Sequence, residues 1–313
     1  MAAARSTLSY ANAHRPWELY EAVFYQVLDQ ARVLAGRQAI RGRRFRFKNP
    51  LYSLDASAID LSLKLFPWAA YRPDAGNVKL SVGLNHGTDV PEFVALGDGN
   101  ENDLVQGRRF AFPKSSIVVF DKGYVDYGWY KSLTDQGVFF VTRLRPNAIY
   151  RVEERRPVDR SKGLTCDQTI QLNSAHALKR GAPRLRRVGF VDRETGKHYV
   201  FLTNHFGLSA ATIAALYKDR WRIEIFFKTI KQNLKIKAFV GTSRNAVLTQ
   251  LWIAMITYLL VAFARHSARA GWTVQRIMRV LQLSLFDRRT LAEILNPDPG
   301  RSKKGEPQMR FAL

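Results

Sequence analysis

The stretch Tyr217-Lys-Asp-Arg-Trp-Arg-Ile-Glu-Ile-Phe-Phe-Lys-Thr-Ile-Lys-Gln-Asn-Leu-Lys235 is the part of the sequence that decides the fold. Its apolar residues recur at intervals of three and four, which predicts one helix with a buried stripe. The polar residues beside that stripe share an arc of about 80°. They are Tyr217, Arg220, Glu224, Lys228, Lys231 and Lys235.

An ordinary salt-bridged surface would also surround Glu224 with cations four and seven residues away. A ladder of that kind alternates its charges, whereas this face places several cations around a single acid. Such an excess suits a metal-binding carboxylate whose neighbours hold phosphate groups. The stretch therefore favours a phosphate-handling site over a solvated face.

The residue types and their spacing in this stretch match a known pattern. Tyr217, two residues, Arg220, three residues, Glu224, six residues and Lys231 resemble the Y-(2)-R-(3)-E-(6)-K signature of bacterial insertion-sequence transposases of the IS-four family. These are DDE enzymes with a ribonuclease-H-like catalytic core. The resemblance implies an α/β fold, with a mixed sheet flanked by helices and a β-rich insertion between the second aspartate and the glutamate.

The first acid of such a site is predicted at Asp55. The run from Leu51 predicts a short buried strand that ends at Asp55. A carboxylate there would point from the sheet into a cleft, where the resemblance implies the first metal ligand. Asp60 is the rival, because it lies past the strand, and its structural role would be a cap or a salt bridge. We prefer Asp55.

The second acid is predicted at Asp121. Residues 115–120 end in a continuous apolar, β-branched run, which is typical of a central strand buried on both faces. Asp121 ends this run, and a glycine and a predicted helix follow. The run from Phe120 to Asp126 resembles the second-aspartate region of the family. A helix cap is the alternative role for Asp121, and Asp126 is expected to be structural.

The resemblance implies that Asp55, Asp121 and Glu224 are the catalytic residues and hold two Mg²⁺ ions, for which Mn²⁺ can substitute. Ions held in this way would activate water or a 3′-hydroxyl group and stabilise the leaving oxygen. Residues beside Glu224 would bind phosphates at the cleaved transposon end and help to hold a displaced base. The insertion contains no tryptophan, which leaves the question of a DNA hairpin open. Stacking there would need Tyr150, Phe190, Tyr199 or Phe201.

The charge of the chain indicates a polyanionic partner. The sequence has 49 Lys and Arg against 26 Asp and Glu, a formal net charge of +23. Neutralising the phosphates of such a partner would make binding strongly dependent on salt. The family resemblance implies that the partner is DNA. The residues predicted to bind DNA are Tyr217, Arg220, Lys228, Lys231, Lys235, Arg43, Arg44 and Arg46.

Three of those cations belong to a basic tract interleaved with Phe45 and Phe47. The alternation from Arg44 to Lys48 predicts an edge strand whose exposed face contacts a phosphate backbone. A solvated strand with no partner is an equal alternative for this tract.

Several classes of protein are excluded. Cys166 is the only cysteine, so disulfide frameworks and cysteine-based zinc sites are ruled out. The amino terminus lacks the apolar core of a signal peptide, which predicts a cytoplasmic, nucleoid-associated bacterial protein. Residues 246–264 are apolar, and we expect them to form a buried core helix because they follow the charged stretch closely.

We expect five segments. They are a helical and basic segment at 1–48, shortened relative to the family, a first part of the catalytic core at 49–142, a β-rich insertion at 143–206, a second part of the core at 207–295, and a disordered tail at 296–313.

The sequence thus predicts a transposase that cleaves DNA at the ends of an insertion sequence and joins them to target DNA. The family resemblance implies a homodimer on DNA and no membrane. One alternative is a shortened, catalytically silent DNA-binding copy that acts as a regulator or is inert. Another is a stand-alone metal-dependent nuclease, which would share the site but would not join strands.

Overall fold

One mixed sheet of ten strands organises the fold. The computed structural model describes residues 4–36, 45–233, 239–267, 272–284 and 289–296. The strands run in the order β2-β3-β1-β5-β6-β10-β9-β8-β7, and β4 also pairs with β3. Their bounds are β1 (Leu51–Leu61), β2 (Ala70–Arg72), β3 (Ala75–Asn85), β4 (Val90–Asp98), β5 (Ile117–Phe120), β6 (Phe139–Arg143), β7 (Tyr150–Arg155), β8 (Leu164–Leu172), β9 (Leu185–Val191) and β10 (His198–Thr203).

Helices flank this sheet. Their bounds are α1 (Arg5–His14), α2 (Trp17–Gly36), α3 (Asp103–Gly107), α4 (Tyr127–Asp135), α5 (Ala175–Lys179), α6 (Ala210–Asp219), α7 (Trp221–Asn233), α8 (Arg244–Ser267), α9 (Val274–Leu283) and α10 (Leu291–Leu295).

The sheet contains both antiparallel and parallel strand pairs. Strands β1, β3 and β4 are antiparallel to one another, while β5 and β6 run parallel to β1. Every residue of β5 is buried, because the strand lies at the centre of the sheet with helices on both faces. The predicted α/β architecture with a mixed sheet is confirmed.

The segment between the second aspartate and the glutamate is β-rich, as predicted. Its strands β7 to β10 pair antiparallel in a meander, and β10 then pairs with β6. The insertion therefore extends the core sheet and does not form a second one. The division into five segments stays a prediction, and residues 37–44 and 297–313 lie outside the described part of the chain.

Helix α8 is the central helix of the largest apolar cluster. Its stretch Arg244–Arg265 is long and apolar enough to cross a membrane by length and composition, yet 67% of the apolar window is buried inside the protein. Trp252 is fully buried, with its ring centroid 5.4 Å from that of Phe24 on α2. The prediction of a buried core helix is confirmed.

Strand β1 is longer than the sequence predicts. It does not end at Asp55 but continues to Leu61, because β3 pairs with it along this whole length, from Tyr52↔Asn85 to Leu61↔Gly76. Only the parallel partner β5 stops early, at the pair Leu54↔Phe120. Asp55 is therefore the first residue of β1 beyond its contact with β5.

The single glutamate helix predicted from the periodicity is two helices. The chain breaks at Arg220, whose backbone N–H bonds to the carbonyl of Tyr217 at 3.3 Å, three residues back instead of four. The polar arc predicted for one straight helix is divided here, and only the residues from Trp221 onward share the axis of α7.

The predicted basic edge strand is also absent from the described residues 45–50, which form bends without a sheet partner. Aromatic and basic side chains still alternate between core and solvent, as predicted. Phe45 and Phe47 pack on the core, whereas Arg46 and Lys48 are exposed. Arg43 and Arg44 lie outside the described residues.

Candidate catalytic site

Two acids meet where β5 ends. Leu54 and Phe120 are partners in the parallel pairing, so the next residues along the two chains, Asp55 and Asp121, lie side by side at the same edge. The Asp121 side chain also caps a short 3₁₀ turn, accepting a hydrogen bond from the Gly123 N–H at 2.6 Å. The capping role considered for Asp121 is thus present, and it uses one carboxylate oxygen.

The third acid comes from α7, which packs against β1. Glu224 lies in the first turn of this helix. One turn of the chain earlier, the guanidinium group of Arg220 contacts two acids. Its Nη2 lies 2.6 Å from Oε1 of Glu224, and its Nη1 lies 3.2 Å from Oδ2 of Asp55. Arg220 therefore joins the acid on the strand to the acid on the helix.

The pKa of Asp55 reflects its burial and the charged groups around it. Burial is the main cause that raises its pKa to about 6, and the neighbouring charges of Asp121 and Glu224 raise it further. The backbone N–H of Ala56 and the guanidinium of Arg220 act in the opposite direction. Burial, more than the neighbouring acids, therefore favours the protonated form of Asp55.

The donor set suits a hard divalent cation, because it consists of carboxylates from three elements that meet at one edge. Within the described ranges, however, no three Asp, Glu, His or Cys side chains converge closely enough to hold an ion as they stand. The Arg220 guanidinium lies between two of the acids in the observed arrangement. Its Nε atom is buried and has no hydrogen-bond partner among the described residues.

An aromatic cavity of about 410 Å³ opens beside Asp121 and Glu224. Trp221 at its rim is 60% exposed. The guanidinium groups of Arg220 and Arg143 lie 5.6 Å and 6.0 Å from the centroid of the Tyr217 ring. The aromatic residues that line this cavity are Phe190, Tyr199, Phe201, Tyr217 and Trp221.

A second cavity, of about 590 Å³, lies on the other side of Glu224 and is bounded by Asp55, Lys228 and Lys231. Lys228 is exposed. The ammonium group of Lys231 donates a hydrogen bond to the carbonyl of Ala58 on β1 at 2.7 Å, so it also joins α7 to the strand. Basic and acidic groups thus alternate along one continuous edge.

Most of the residues proposed from the sequence come together here. Tyr217, Arg220, Lys228 and Lys231 line the two cavities around the three acids, whereas Arg46 lines neither. Lys235, Arg43 and Arg44 lie outside the described residues.

The rival acid Asp60 and Asp126, which was expected to be structural, lie elsewhere. Asp60 is exposed and lies five residues farther along β1, roughly 16 Å from Asp55 at the usual rise of a strand. Asp126 caps α4 by accepting a hydrogen bond from the Trp129 N–H at 2.7 Å. Of the four aromatic residues considered for stacking, Tyr150 does not line the cavity.

Sequence reasoning missed Arg143, Trp221 and Tyr124. Arg143 ends β6, the parallel neighbour of β5, and the carboxyl ends of parallel strands meet at one edge, so its position could have been inferred. Trp221 follows Arg220 directly in the quoted stretch. Tyr124 lies near the acids, because burial and then the charges of Asp55, Asp103 and Asp121 raise the pKa of its hydroxyl, and no sequence pattern indicated this position.

Comparisons with known proteins identify the family of this chain. Residues 47–260 match the family model described as a transposase DDE domain. A putative transposase, y4zB, of Sinorhizobium fredii is 35% identical over 97% of this chain and 85% of its own length. A probable transposase for insertion sequence element IS5377 of Geobacillus stearothermophilus is 30% identical over 70% of this chain and 58% of its own length.

Among solved structures, a piggyBac transposase synaptic complex with hairpin DNA superposes with a TM-score of 0.43 at 12% identity. The superposition covers 80% of this chain and 58% of the piggyBac chain.

Proposed function

Because this chain belongs to the family of transposases with a DDE domain and functions in DNA transposition, we propose that Asp55, Asp121 and Glu224 form its catalytic site. The site cleaves DNA at the ends of an insertion sequence and joins those ends to target DNA. Membership of the IS-four family in particular is part of this proposal.

The observation that carries the proposal is the pairing of Leu54 with Phe120, which brings Asp55 next to Asp121. The contacts of Arg220 with Asp55 and Glu224 then add the third acid to the same edge. Phosphoryl transfer needs little covalent chemistry from a protein, so positioning and charge are what such a site has to supply.

Asp55, Asp121 and Glu224 would hold two Mg²⁺ ions, or Mn²⁺ in their place. When bound, the ions supply Lewis acidity that activates the attacking oxygen and stabilises the leaving one. The metal would replace the Arg220 guanidinium as the counter-charge of Asp55 and Glu224. Arg220 would then be free to donate to a phosphate oxygen.

The two cavities would hold the DNA on either side of the acids. Lys228 and Lys231 bind backbone phosphates on one side. On the other side the aromatic cavity holds a base displaced from the duplex, which stacks on Trp221 or Tyr199. Arg46, at the exposed face of the basic tract, binds a more distant phosphate, and Lys235, Arg43 and Arg44 are proposed for the same role.

DNA is the partner, as transposon ends and as target. We further propose that the chain acts as a homodimer when bound to DNA, since two ends have to be brought together. Its place is the bacterial cytoplasm, at the nucleoid.

The test is a cleavage and joining reaction with purified protein, Mg²⁺ and duplexes that carry the flanking ends of its own genomic element. The variants are Asp55→Asn, Asp121→Asn and Glu224→Gln. Asp60→Asn is the matched control, because it removes a carboxylate from the same strand. We expect the three site variants to lose at least about 10³-fold in rate, with the DNA dissociation constant within roughly threefold of wild type.

Other outcomes would decide against the proposal. If the wild-type protein releases the ends but does not join them, the protein is a nuclease. If it binds DNA in a salt-sensitive way but does not cleave it, the protein is a silent DNA-binding copy. If Asp60→Asn were inactive and Asp55→Asn active, the assignment of the first acid would be wrong.

A further inference from the structure

A buried row of hydrogen bonds connects the strand of Asp55 to the helix break at Arg220. The hydroxyl of Ser53 lies 2.6 Å from Nε2 of His86, and Nδ1 of His86 lies 2.7 Å from Oδ2 of Asp219. Ser53 is fully buried, and His86 and Asp219 are 8% and 5% exposed. These three residues are called the strut below.

The chemistry of the three side chains in the strut fixes the direction of each hydrogen bond. The Asp219 carboxylate can only accept, so the proton of the neutral imidazole lies on Nδ1. Nε2 then accepts from the Ser53 hydroxyl. Burial lowers the pKa of His86, which keeps the ring neutral, although the bond to Asp219 acts in the opposite direction. Each polar atom of the imidazole therefore has one partner of the right kind.

The position of the strut relates it to the catalytic acids. Ser53 precedes Asp55 by two residues on β1, so the two side chains emerge on the same face of the sheet. Asp219 directly precedes Arg220, which contacts both Asp55 and Glu224. The backbone N–H of His86 also donates to the Leu51 carbonyl at 2.9 Å, which anchors the ring to β1.

The other side of the helix break is tied to the same turn. Nη1 of Arg222 donates to the His86 carbonyl at 2.9 Å and lies 3.6 Å from Oδ2 of Asp219. Arg222 also pairs with Asp89, which in turn pairs with Arg265 of α8 at 2.8 Å. Residues before and after the break are thus both held by the turn between β3 and β4.

A serine, a histidine and an aspartate in this order are also the parts of a hydrolase triad. Ser53 has no exposed surface, however, and cannot reach a substrate. The strut is therefore a structural connection between two elements and does not provide a nucleophile.

We propose that His86 is a positioning residue for the transposition chemistry. Through Ser53 and Asp219 it sets how far Glu224 and Arg220 stand from Asp55. This inference rests on the proposed function of the three acids. It assigns His86 a role although the residue is buried and lines neither of the two cavities around the acids.

A displacement of about 1 Å in a reacting group costs on the order of 10²-fold in rate, and loss of a residue that orients metal ligands costs roughly 10- to 100-fold in metal affinity or activity. Removing the imidazole takes away the hydrogen bond between His86 and Asp219 and lets the helix break shift against β1. The effect should fall on the chemical step and on metal binding, and DNA affinity should be unaffected.

The test compares His86→Ala, His86→Asn and Ser53→Ala with Thr203→Val. Thr203 is fully buried on β10 and donates to the Phe140 carbonyl, so its replacement also removes a buried hydrogen bond from the sheet. Asparagine can keep the donor toward Asp219 but not the acceptor toward Ser53. The measurements are the cleavage rate at saturating DNA, the DNA dissociation constant, the melting temperature, and Mn²⁺ affinity by electron paramagnetic resonance without DNA.

We expect His86→Ala to cleave about 10- to 100-fold more slowly at saturating DNA and to bind Mn²⁺ about 10-fold more weakly, with unchanged DNA affinity. His86→Asn should recover part of both losses. Thr203→Val should have a lower melting temperature but an unchanged cleavage rate.

Two results would overturn the inference. One is a wild-type rate and Mn²⁺ affinity in His86→Ala. The other is a Thr203→Val variant that has the same melting temperature as His86→Ala and loses as much cleavage rate. The loss in His86→Ala would then be an effect of stability alone. If wild-type protein does not cleave DNA, the proposed function fails instead, and the Mn²⁺ titration still decides whether His86 positions the acids.

Discussion

Arg220 and Glu224 form an ion pair across the start of α7, with Nη2 and Oε1 2.6 Å apart, and the same guanidinium reaches Asp55 at 3.2 Å. The arginine of the Y-R-E-K pattern thus lies between two acids proposed to hold metal. Without metal, the guanidinium offsets part of the repulsion between these carboxylates. A metal ion bound by these acids would compete with the arginine for the two carboxylates, and this competition can be measured.

Replacing Arg220 with alanine should remove that counter-charge. We expect the metal-free variant to be less stable by roughly 1–3 kcal/mol, because partly buried carboxylates lose a charged partner. Its melting temperature should rise more on addition of Mn²⁺ than that of wild type, since no guanidinium competes with the ion. Differential scanning calorimetry with and without Mn²⁺ measures both effects.

Arg244→Ala is the matched control for this experiment. It removes an ion pair with Asp98 in which both side chains are more than half exposed, so stability should change by less than about 1 kcal/mol. An Mn²⁺-induced shift in Arg220→Ala no larger than in wild type would contradict competition between the cations.

Asp55 should make the metal-free protein less stable as the pH rises. Its pKa is raised from 3.8 to about 6, chiefly by burial. Between these values the folded protein keeps a proton that the unfolded chain releases, so this contribution is fully present below about pH 3.8 and is lost as the pH approaches about 6. Asp55→Asn should therefore gain stability relative to wild type above pH 6, by at most about 3 kcal/mol.

Urea denaturation in the presence of a chelator, at pH 4 and at pH 7.5, tests this prediction. Asp60→Asn controls for the removal of a charge from the same strand. The prediction is wrong if the difference between Asp55→Asn and wild type is equal at the two pH values.

Trp221 should bind a displaced base rather than stabilise the fold. Its side chain is 60% exposed at the rim of the aromatic cavity, so Trp221→Ala should leave the melting temperature nearly unchanged. Stacking contributes about 1–3 kcal/mol per base, which predicts a loss of about 5- to 150-fold in affinity for cleaved-end DNA. Fluorescence of 2-aminopurine at the end reports the stacking directly.

Trp221→Phe should retain most of this signal, and Tyr10→Ala, which removes an exposed aromatic side chain from α1, should retain all of it. If the 2-aminopurine signal is unchanged in Trp221→Ala, the displaced base stacks on another residue of the cavity.

Lys228 should contribute one phosphate contact. It is exposed on α7 beside the cavity that contains Asp55 and Glu224. Lys228→Ala should weaken binding to all DNA sequences alike and reduce the slope of log affinity against log salt by about 1. Lys114→Ala is the control, because Lys114 is also exposed but precedes β5, at the opposite edge of the sheet from Asp121. Equal slopes for Lys228→Ala and wild type would remove Lys228 from the DNA interface.

The sequence by itself determined the elements and the types of residue at the site. Four apolar residues followed by an aspartate predicted β5 and Asp121, and the apolar run 246–264 predicted the core helix α8, because these patterns depend on neighbours close in sequence. The spacing of Tyr217, Arg220, Glu224 and Lys231 indicated the family. All of this information is local along the chain.

Tertiary structure alone decided where β1 ends, where the glutamate helix breaks and what supports the break. β1 continues past Asp55 because β3 pairs with it, and Asp55 meets Asp121 only through the pairing with β5. His86 and Asp219 are 133 residues apart, and no local pattern links them. The physical reason is that hydrogen bonds and charge pairs between distant segments form only after the hydrophobic core has brought those segments together.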